Sequence, residues 1–201
     1  MQTIKLFSFI FFILLVGCNR TGHKVELVAG DSGKEIDIEK LKTDIGGLST
    51  ASATMKTVHG DIVFRFYTKA APRTSARVMQ LIQSKFFDGL VIHRAIPNFI
   101  IQTGDPTGSG TGGSGTKLKA EFNELQHIKG TMGMARGIDK DSADSQFYIS
   151  LTTLSHLDGK NTVFGQVVDG LDILPKLSKG DRIITITLNL KDVNASGADQ
   201  H

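Results

Sequence analysis

Apolar and polar positions alternate with a period of two over several short runs of this chain. Ile62, Phe64 and Phe66 alternate with Val63, Arg65 and Tyr67, and Ile184, Ile186, Leu188 and Leu190 alternate with Thr185, Thr187 and Asn189. This is the pattern of a strand with one face buried. Ala53–Val58 and Ile62–Tyr67 flank His59-Gly60-Asp61, a hairpin signal. Further extended runs lie at Val91–Arg94, Ile96–Gln102, Thr131–Ala135, Gln146–Ser150 and Val163–Val168. Val78, Leu81 and Ile82 share one face at helical spacing, with Phe86 a turn further. That spacing predicts a helix over Ala71–Ser84 with Pro72 in its first turn. A second helix of two turns is predicted over Leu171–Leu177, with Pro175 spoiling its interior. Many strands and two helices make a mainly β domain, a barrel or a sandwich.

The pattern changes at the N-terminus. After Lys5, Leu6–Gly17 is almost wholly apolar, with Ser8 the one polar interruption. The run is shorter than the roughly 20 apolar residues a spanning helix needs, and it suits the apolar region of a secretory signal. It ends in Leu15-Val16-Gly17-Cys18, which resembles the processing box of bacterial lipoproteins, where the cysteine thiol is acylated and the chain is cut just before it. The expected organisation is a lipoprotein signal peptide over 1–17, a lipid-anchored tether over 18–52, a folded domain over 53–192 and a flexible tail over 193–201. Within the tether, Lys24–Val28 has the pattern of a short strand and Glu35–Leu41 a weak helical spacing. The expected location is the bacterial cell envelope, with the outer membrane or periplasmic side favoured because Asn19, not aspartate, follows the cysteine.

Composition narrows the function. Cys18 is the only cysteine, so no internal disulfide is available and the exported domain must be held by its core. A formal charge of +3, which falls by one when Lys5 leaves with the signal peptide, is too small and too scattered to point to nucleic acid. Nothing in the sequence calls for more than a monomer. The histidines are scattered without metal-ligand spacing, and no metal is expected. No GxSxG element supports a serine nucleophile. Gly108-Ser109-Gly110-Thr111-Gly112-Gly113 matches the dinucleotide fingerprint letter by letter, but no amphipathic helix follows it over Ser114–Phe122. The stretch reads as a long loop using glycine's backbone freedom.

Three runs carry the candidate chemistry. The first is Val91-Ile92-His93-Arg94-Ala95-Ile96-Pro97-Asn98-Phe99-Ile100-Ile101-Gln102, which sets an arginine among apolar residues. Arginine is seldom buried alone, so it is either paired with a carboxylate or presented to a ligand. The second is Gly130-Thr131-Met132-Gly133-Met134-Ala135-Arg136. The third, Asp144-Ser145-Gln146-Phe147-Tyr148-Ile149-Ser150, is followed by His156-Leu157-Asp158-Gly159-Lys160-Asn161-Thr162-Val163-Phe164-Gly165. In order and spacing these runs resemble the signatures of cyclophilins, the peptidyl-prolyl cis-trans isomerases, over residues 53–191. The resemblance implies a closed eight-stranded antiparallel β-barrel capped by two helices. It implies that Arg94 is the catalytic arginine, with Phe99 and Gln102 beside it. Phe99, Ile100, Tyr148 and Leu157 match the pocket for the substrate proline ring. Gln102 and Gln146 match groups that orient the arginine and the peptide, and Ala135 and Arg136 match residues whose main chain pairs with the peptide. His156 and Asn161 stand at the pocket rim, where many eukaryotic members have tryptophan and histidine, which puts binding of cyclosporin in doubt. The acidic run Gly137–Asp144 is expected to bias peptide choice.

The chemistry fits these residue types. An X-Pro bond turns slowly because amide conjugation sets a barrier of roughly 18–20 kcal/mol. At the twisted transition state the proline nitrogen regains a lone pair. A donor near that nitrogen binds the twisted form better than either planar form, which is the differential binding that accelerates a step. Arginine suits the role because it is always charged and its donors are rigidly arranged. Neither cofactor nor metal is needed. The expected partners are proline-containing polypeptides, chiefly unfolded exported proteins. The alternative is a non-catalytic cyclophilin-like module for peptide binding or surface adhesion.

Overall fold

The computed structural model describes residues 51–189. The predicted signal peptide, Cys18, the tether segments Lys24–Val28 and Glu35–Leu41, Leu190 and the tail over 193–201 lie outside the described residues. In chain order the elements are β1 (Ser52–Thr57), β2 (Gly60–Phe66), α1 (Pro72–Gln83), β3 (Arg94–Ile96), β4 (Ile100–Thr103), β5 (Thr131–Met134), β6 (Phe147–Ser150), β7 (Val163–Asp169) and β8 (Ile183–Asn189). All eight strands form one antiparallel sheet in the order β3-β4-β6-β5-β7-β2-β1-β8.

Three expectations need correction. The sheet is not closed by a β3–β8 ladder, because β3 and β8 are its two ends. The sheet curls instead, and the segments leading into those strands tie the ends together. Gly89 N–H donates to the Ile183 carbonyl at 2.8 Å, Ile183 N–H to Leu90 at 2.9 Å, and Ile92 N–H to Asp181 at 2.8 Å. The second helix is a single 3₁₀ turn, Leu174–Lys176. Pro175 has no N–H to continue a helix, and the turn survives because Leu174 is fully buried. The predicted strand Ile96–Gln102 is also interrupted. Pro97 and Asn98 make a turn, with Asn98 at φ 56° and Phe99 N–H donating to Ile96 O, before β4 begins at Ile100.

Helix α1 starts as its sequence dictates. Pro72 occupies the first turn, where its missing N–H is no loss. The free N–H groups of Arg73 and Thr74 donate to the two carboxylate oxygens of Glu121 at 3.0 and 2.8 Å. A negative charge there also complements the positive end of the helix dipole. Val78, Met79, Leu81 and Ile82 are buried on the sheet side, where α1 packs against β7 and β8.

The main core includes the fully buried rings of Phe64, Phe87, Phe147 and Phe164. Phe147 meets Phe87 and Phe164 edge-to-face, at 5.5 and 6.1 Å between centroids. Each such ring contributes about 1.5–3 kcal/mol by burial, and each edge-to-face pair about 0.5–1.5 kcal/mol more. On β4 and β6 the side chains alternate between two apolar clusters. Ile101, Phe147 and Ile149 join the main core, while Ile100 and Tyr148 turn outward into a second, smaller cluster with Leu154.

The exit from β4 is fixed by Gly104, at φ +88°, where a Cβ would overlap the Ser145 carbonyl oxygen. Ser145 in turn donates its hydroxyl to the Gly104 carbonyl at 2.7 Å. Gly104→Ala is expected to destabilise the protein by more than about 2 kcal/mol, since strain and overlap add. Gly115→Ala has the same left-handed strain with open space around it (φ +85°), so its expected loss is only about 1 kcal/mol. Urea unfolding midpoints measure both, and equal losses would contradict this reading of the β4–β6 junction.

Candidate active site

The register of three neighbouring strands assembles the outward cluster. Arg94 on β3 stands opposite Gln102 on β4, and Gln102 opposite Tyr148 on β6. Ile100 and Gln102 are two residues apart and so share one face of β4. Around Ile100, Tyr148 and Leu154 pack Phe99, Ala135 and Leu157. Leu157 belongs to the 3₁₀ turn Ser155–Leu157. The result is an apolar hollow on the outer face of the sheet, with the arginine at its side.

The Arg94 guanidinium lies 5.8 Å from the centre of the Phe99 ring, within cation–π range. Its Nη1 donates to Gln102 Oε1 at 3.3 Å. The Gln102 amide donates from Nε2 to Gln146 Oε1 at 2.9 Å, and Gln146 Nε2 donates to the Gly110 and Gly112 carbonyls at 3.0 and 2.8 Å. Each amide gives through nitrogen and receives through oxygen, so the relay has one direction. It ends with an oxygen facing the arginine. Arg94 itself is exposed.

The glycine-rich loop is fixed by two carboxylates. Burial pushes the Asp105 carboxyl up, but hydrogen bonds from the Thr107 hydroxyl and from the N–H groups of Thr107, Gly112 and Gly110 outweigh it. The net result lies well below the usual carboxylate range. Asp144, also buried, accepts from Ser114 N–H at 2.7 Å, the Ser114 hydroxyl at 2.5 Å and Gly115 N–H at 3.1 Å. Asp141 accepts from Ala120 N–H at 2.8 Å. The acidic run therefore fastens loops, and its expected role in peptide choice has no support from these contacts. No helix follows the glycines, in keeping with rejection of a dinucleotide site.

The remaining predicted residues divide. Ala135 donates its N–H to Gln146 O at 3.0 Å, leaving its carbonyl and the Arg136 N–H without a backbone partner among the described residues. The Arg136 side chain is engaged: it donates to the carbonyls of Lys160, Gly137 and Ile138 and lies 5.5 Å from the Phe122 ring centre. His156 is exposed and stacks on Phe99, 5.9 Å apart and 8° from parallel. Asn161 is not in the apolar cluster, and its amide donates to the Met134 carbonyl at 3.1 Å. Among the described residues no group of three His, Cys, Asp or Glu has metal-binding geometry.

Sequence reasoning missed three members of this region. Leu154 completes the hollow, but as one leucine in a loop it carries no signal. His127 is fully buried below it and bonded to Tyr148 and Asp158. Burial raises the Tyr148 hydroxyl above the ordinary tyrosine range, with Arg136 opposing and Asp158 adding to the rise. The Asp158 carboxyl is lowered by the His127 N–H and then by the His127 ring. His93, adjacent to Arg94, is buried with neither ring nitrogen hydrogen-bonded among the described residues. Burial lowers its pKa, with Asp105 pulling the other way.

Comparison with known proteins bears on what this arrangement does. The family model for cyclophilin type peptidyl-prolyl cis-trans isomerases matches residues 52–193. A peptidyl-prolyl cis-trans isomerase of Synechococcus elongatus is 41% identical over 138 residues, covering 68% of this chain and 94% of that protein. One from Helicobacter pylori is 38% identical over 144 residues, covering 70% of this chain and 88% of that protein. The crystal structure of a Cryptosporidium parvum cyclophilin type isomerase, obtained in the presence of the dipeptide Ala-Pro, superposes with a TM-score of 0.65 at 28% identity. It covers 70% of this chain and 99% of that one. The matched region takes in every described strand and both walls of the hollow, and on that footing the chain belongs to the cyclophilin-type peptidyl-prolyl cis-trans isomerases.

Proposed function

We propose that the isomerase activity of this family is carried out here in the hollow beside Arg94, on proline-containing chains that have been exported. The observation that carries the assignment is the arginine at the end of the one-way amide relay, beside the apolar cluster of Ile100, Tyr148 and Leu154. The ring sits against Phe99, Ile100, Tyr148 and Leu157, with Leu154 behind them. The free carbonyl of Ala135 and N–H of Arg136 pair with the substrate main chain. The preceding carbonyl swings while Arg94 donates toward the nitrogen as it becomes pyramidal, and the bound chain excludes water from that contact. No covalent bond breaks and no proton need be transferred. The exported setting rests on the apolar run that ends at Cys18. There a lipid on the thiol holds an otherwise soluble, monomeric domain at the envelope membrane.

Arg94→Ala is expected to lower kcat/KM on a proline tetrapeptide by about 100-fold, the usual loss when one transition-state donor is removed. Arg94→Lys is expected to recover only a small part of it, because a point charge replaces a rigid fork. Cis-to-trans exchange of the purified protein measures both. Retention of a partner-binding effect by an Arg94→Ala variant with no turnover, beside a wild type that also lacks turnover, would favour the binding-module reading.

The pH profile follows from the same geometry. With no general base, kcat/KM is expected to stay flat from about pH 6 to about pH 8. Asp105 and Asp158 both have lowered folded-state values. Their contribution is therefore complete above the unfolded value of about 3.9 and is lost only as pH falls through the folded values. Loss of activity is expected only in strong acid. A bell-shaped profile with limbs near 7 would contradict the mechanism.

Cys18→Ser is expected to move the protein from the membrane pellet to the soluble fraction and to abolish labelling by a radioactive fatty acid. Unchanged fractionation and labelling would refute the anchor.

A further inference from the structure

His127 is the one fully buried histidine among the described residues, and isomerisation as derived above makes no use of it. All of its polar groups are committed. Its N–H and its Nδ1 both contact Asp158 Oδ1 at 2.8 Å, and its Nε2 contacts the Tyr148 hydroxyl at 2.8 Å. Its carbonyl accepts from Leu154 N–H at 2.7 Å. The carboxylate can only accept, so it selects the tautomer with the proton on Nδ1. That leaves a lone pair on Nε2, and the Tyr148 hydroxyl donates to it.

These four bonds reach both walls of the hollow. Tyr148 forms one wall. Leu154 and the 3₁₀ turn that follows form the other, and Leu157 N–H donates to Leu154 O at 2.9 Å. The Tyr148 ring has little other freedom, because it lies over Gly133 on β5, where a Cβ would overlap the hydroxyl. A phenol pressed against backbone on one side and tethered at its oxygen presents one ring angle to the hollow.

Resting on the placement of the proline ring in that hollow, we propose that His127 is a positioning residue for isomerisation. Held by Asp158, it sets the tilt of Tyr148 through the hydroxyl and thereby the width of the proline pocket. It touches neither the reacting bond nor Arg94, so its effect falls on binding. The sequence separates His127, Tyr148 and Asp158 too widely for any local motif: Tyr148 lies on β6, His127 in the segment before β5 and Asp158 just after the 3₁₀ turn.

The test is a double-mutant comparison in the full chain, with KM and kcat measured separately. His127→Leu keeps the main-chain bonds to Asp158 and Leu154 but strands a buried hydroxyl. KM is expected to rise about tenfold with kcat changed less than about twofold. Tyr148→Phe removes the hydroxyl, keeps the ring, and leaves Nε2 unpaired; a KM rise of about threefold is expected. Combining the two removes both partners of a bond already lost in either single variant, and KM is expected to rise no further than in His127→Leu alone instead of rising by the product. Such non-additivity distinguishes a tether between these two groups from general loosening. Additive losses, or a Tyr148→Phe variant with unchanged KM, would overturn the proposal, and the second arm stands even if His127→Leu fails to fold. Absence of turnover in the wild type would instead overturn the active-site reading itself.

Discussion

Successive side chains of a strand point to opposite faces, and at β4 and β6 both faces are apolar. Everything distinctive about this molecule depends on that constraint. Ile101, Phe147 and Ile149 belong to the main core, and Ile100 and Tyr148, one position away, build the hollow. A slip of one residue in either strand would exchange the two sets. The core would then receive a glutamine and a phenol, and the hollow would receive Phe147. The site is therefore held by the same burial energy that holds the fold. The Gly104–Ser145 junction, where no Cβ fits, locks the register at the edge where the error would begin.

Above that apolar floor lies a layer of polar groups whose task is orientation. The relay from the glycine-rich loop through Gln146 and Gln102 to Arg94 is built from neutral amides, which have direction but no charge. A carboxylate in place of Gln102 would hold the guanidinium more firmly. It would also neutralise the positive charge that, in the proposed mechanism, faces the proline nitrogen. The amide holds more loosely, at 3.3 Å, and leaves the charge available. Carboxylates appear one layer further out, where Asp105 and Asp144 fasten the loop whose carbonyls start the relay. Charge is used for anchoring where it is remote from the chemistry.

Much of the fold was legible because period-two patterning is strong at β1, β2 and the later part of β8; at the start of β8 an irregularity in the pairing with β1 buries Ile183 and turns Ile184, expected on the buried face, out to solvent. The Pro72 start of α1 was legible for a local reason too, since proline at the first turn is a property of the residue itself. The errors have equally local causes. At Ile96–Gln102 the uninterrupted apolar run hid the turn, and Asn98, able to adopt positive φ, was the residue that allowed it. At Leu171–Leu177 helical spacing reflected two leucines anchored in the core, Leu174 and Leu177, more than a helix. In the site, Arg94, Phe99 and Gln102 sit within one run and are joined by adjacent strands. Their association needed little beyond that run. His127 and Leu154 lie in irregular segments far from it in sequence. No periodicity marks them, and a buried histidine reads in sequence like an exposed one.

The site's economy follows from the reaction. Rotation about an X-Pro bond asks for no nucleophile, no base and no exchange of atoms, so catalysis reduces to holding one ring, freeing one carbonyl and presenting one donor. Each of these is a matter of geometry, and geometry is degraded by small motions. That accounts for the unequal distribution of hydrogen bonds in the molecule. The arginine proposed to act is exposed and has one long bond, whereas the groups behind it are multiply bonded: Asp105 and Asp144, buried at the loop, and the buried His127 with the half-exposed Asp158 beneath the hollow. A donor that must follow a nitrogen through a change of shape needs some freedom of its own. The surface against which the ring is held needs none.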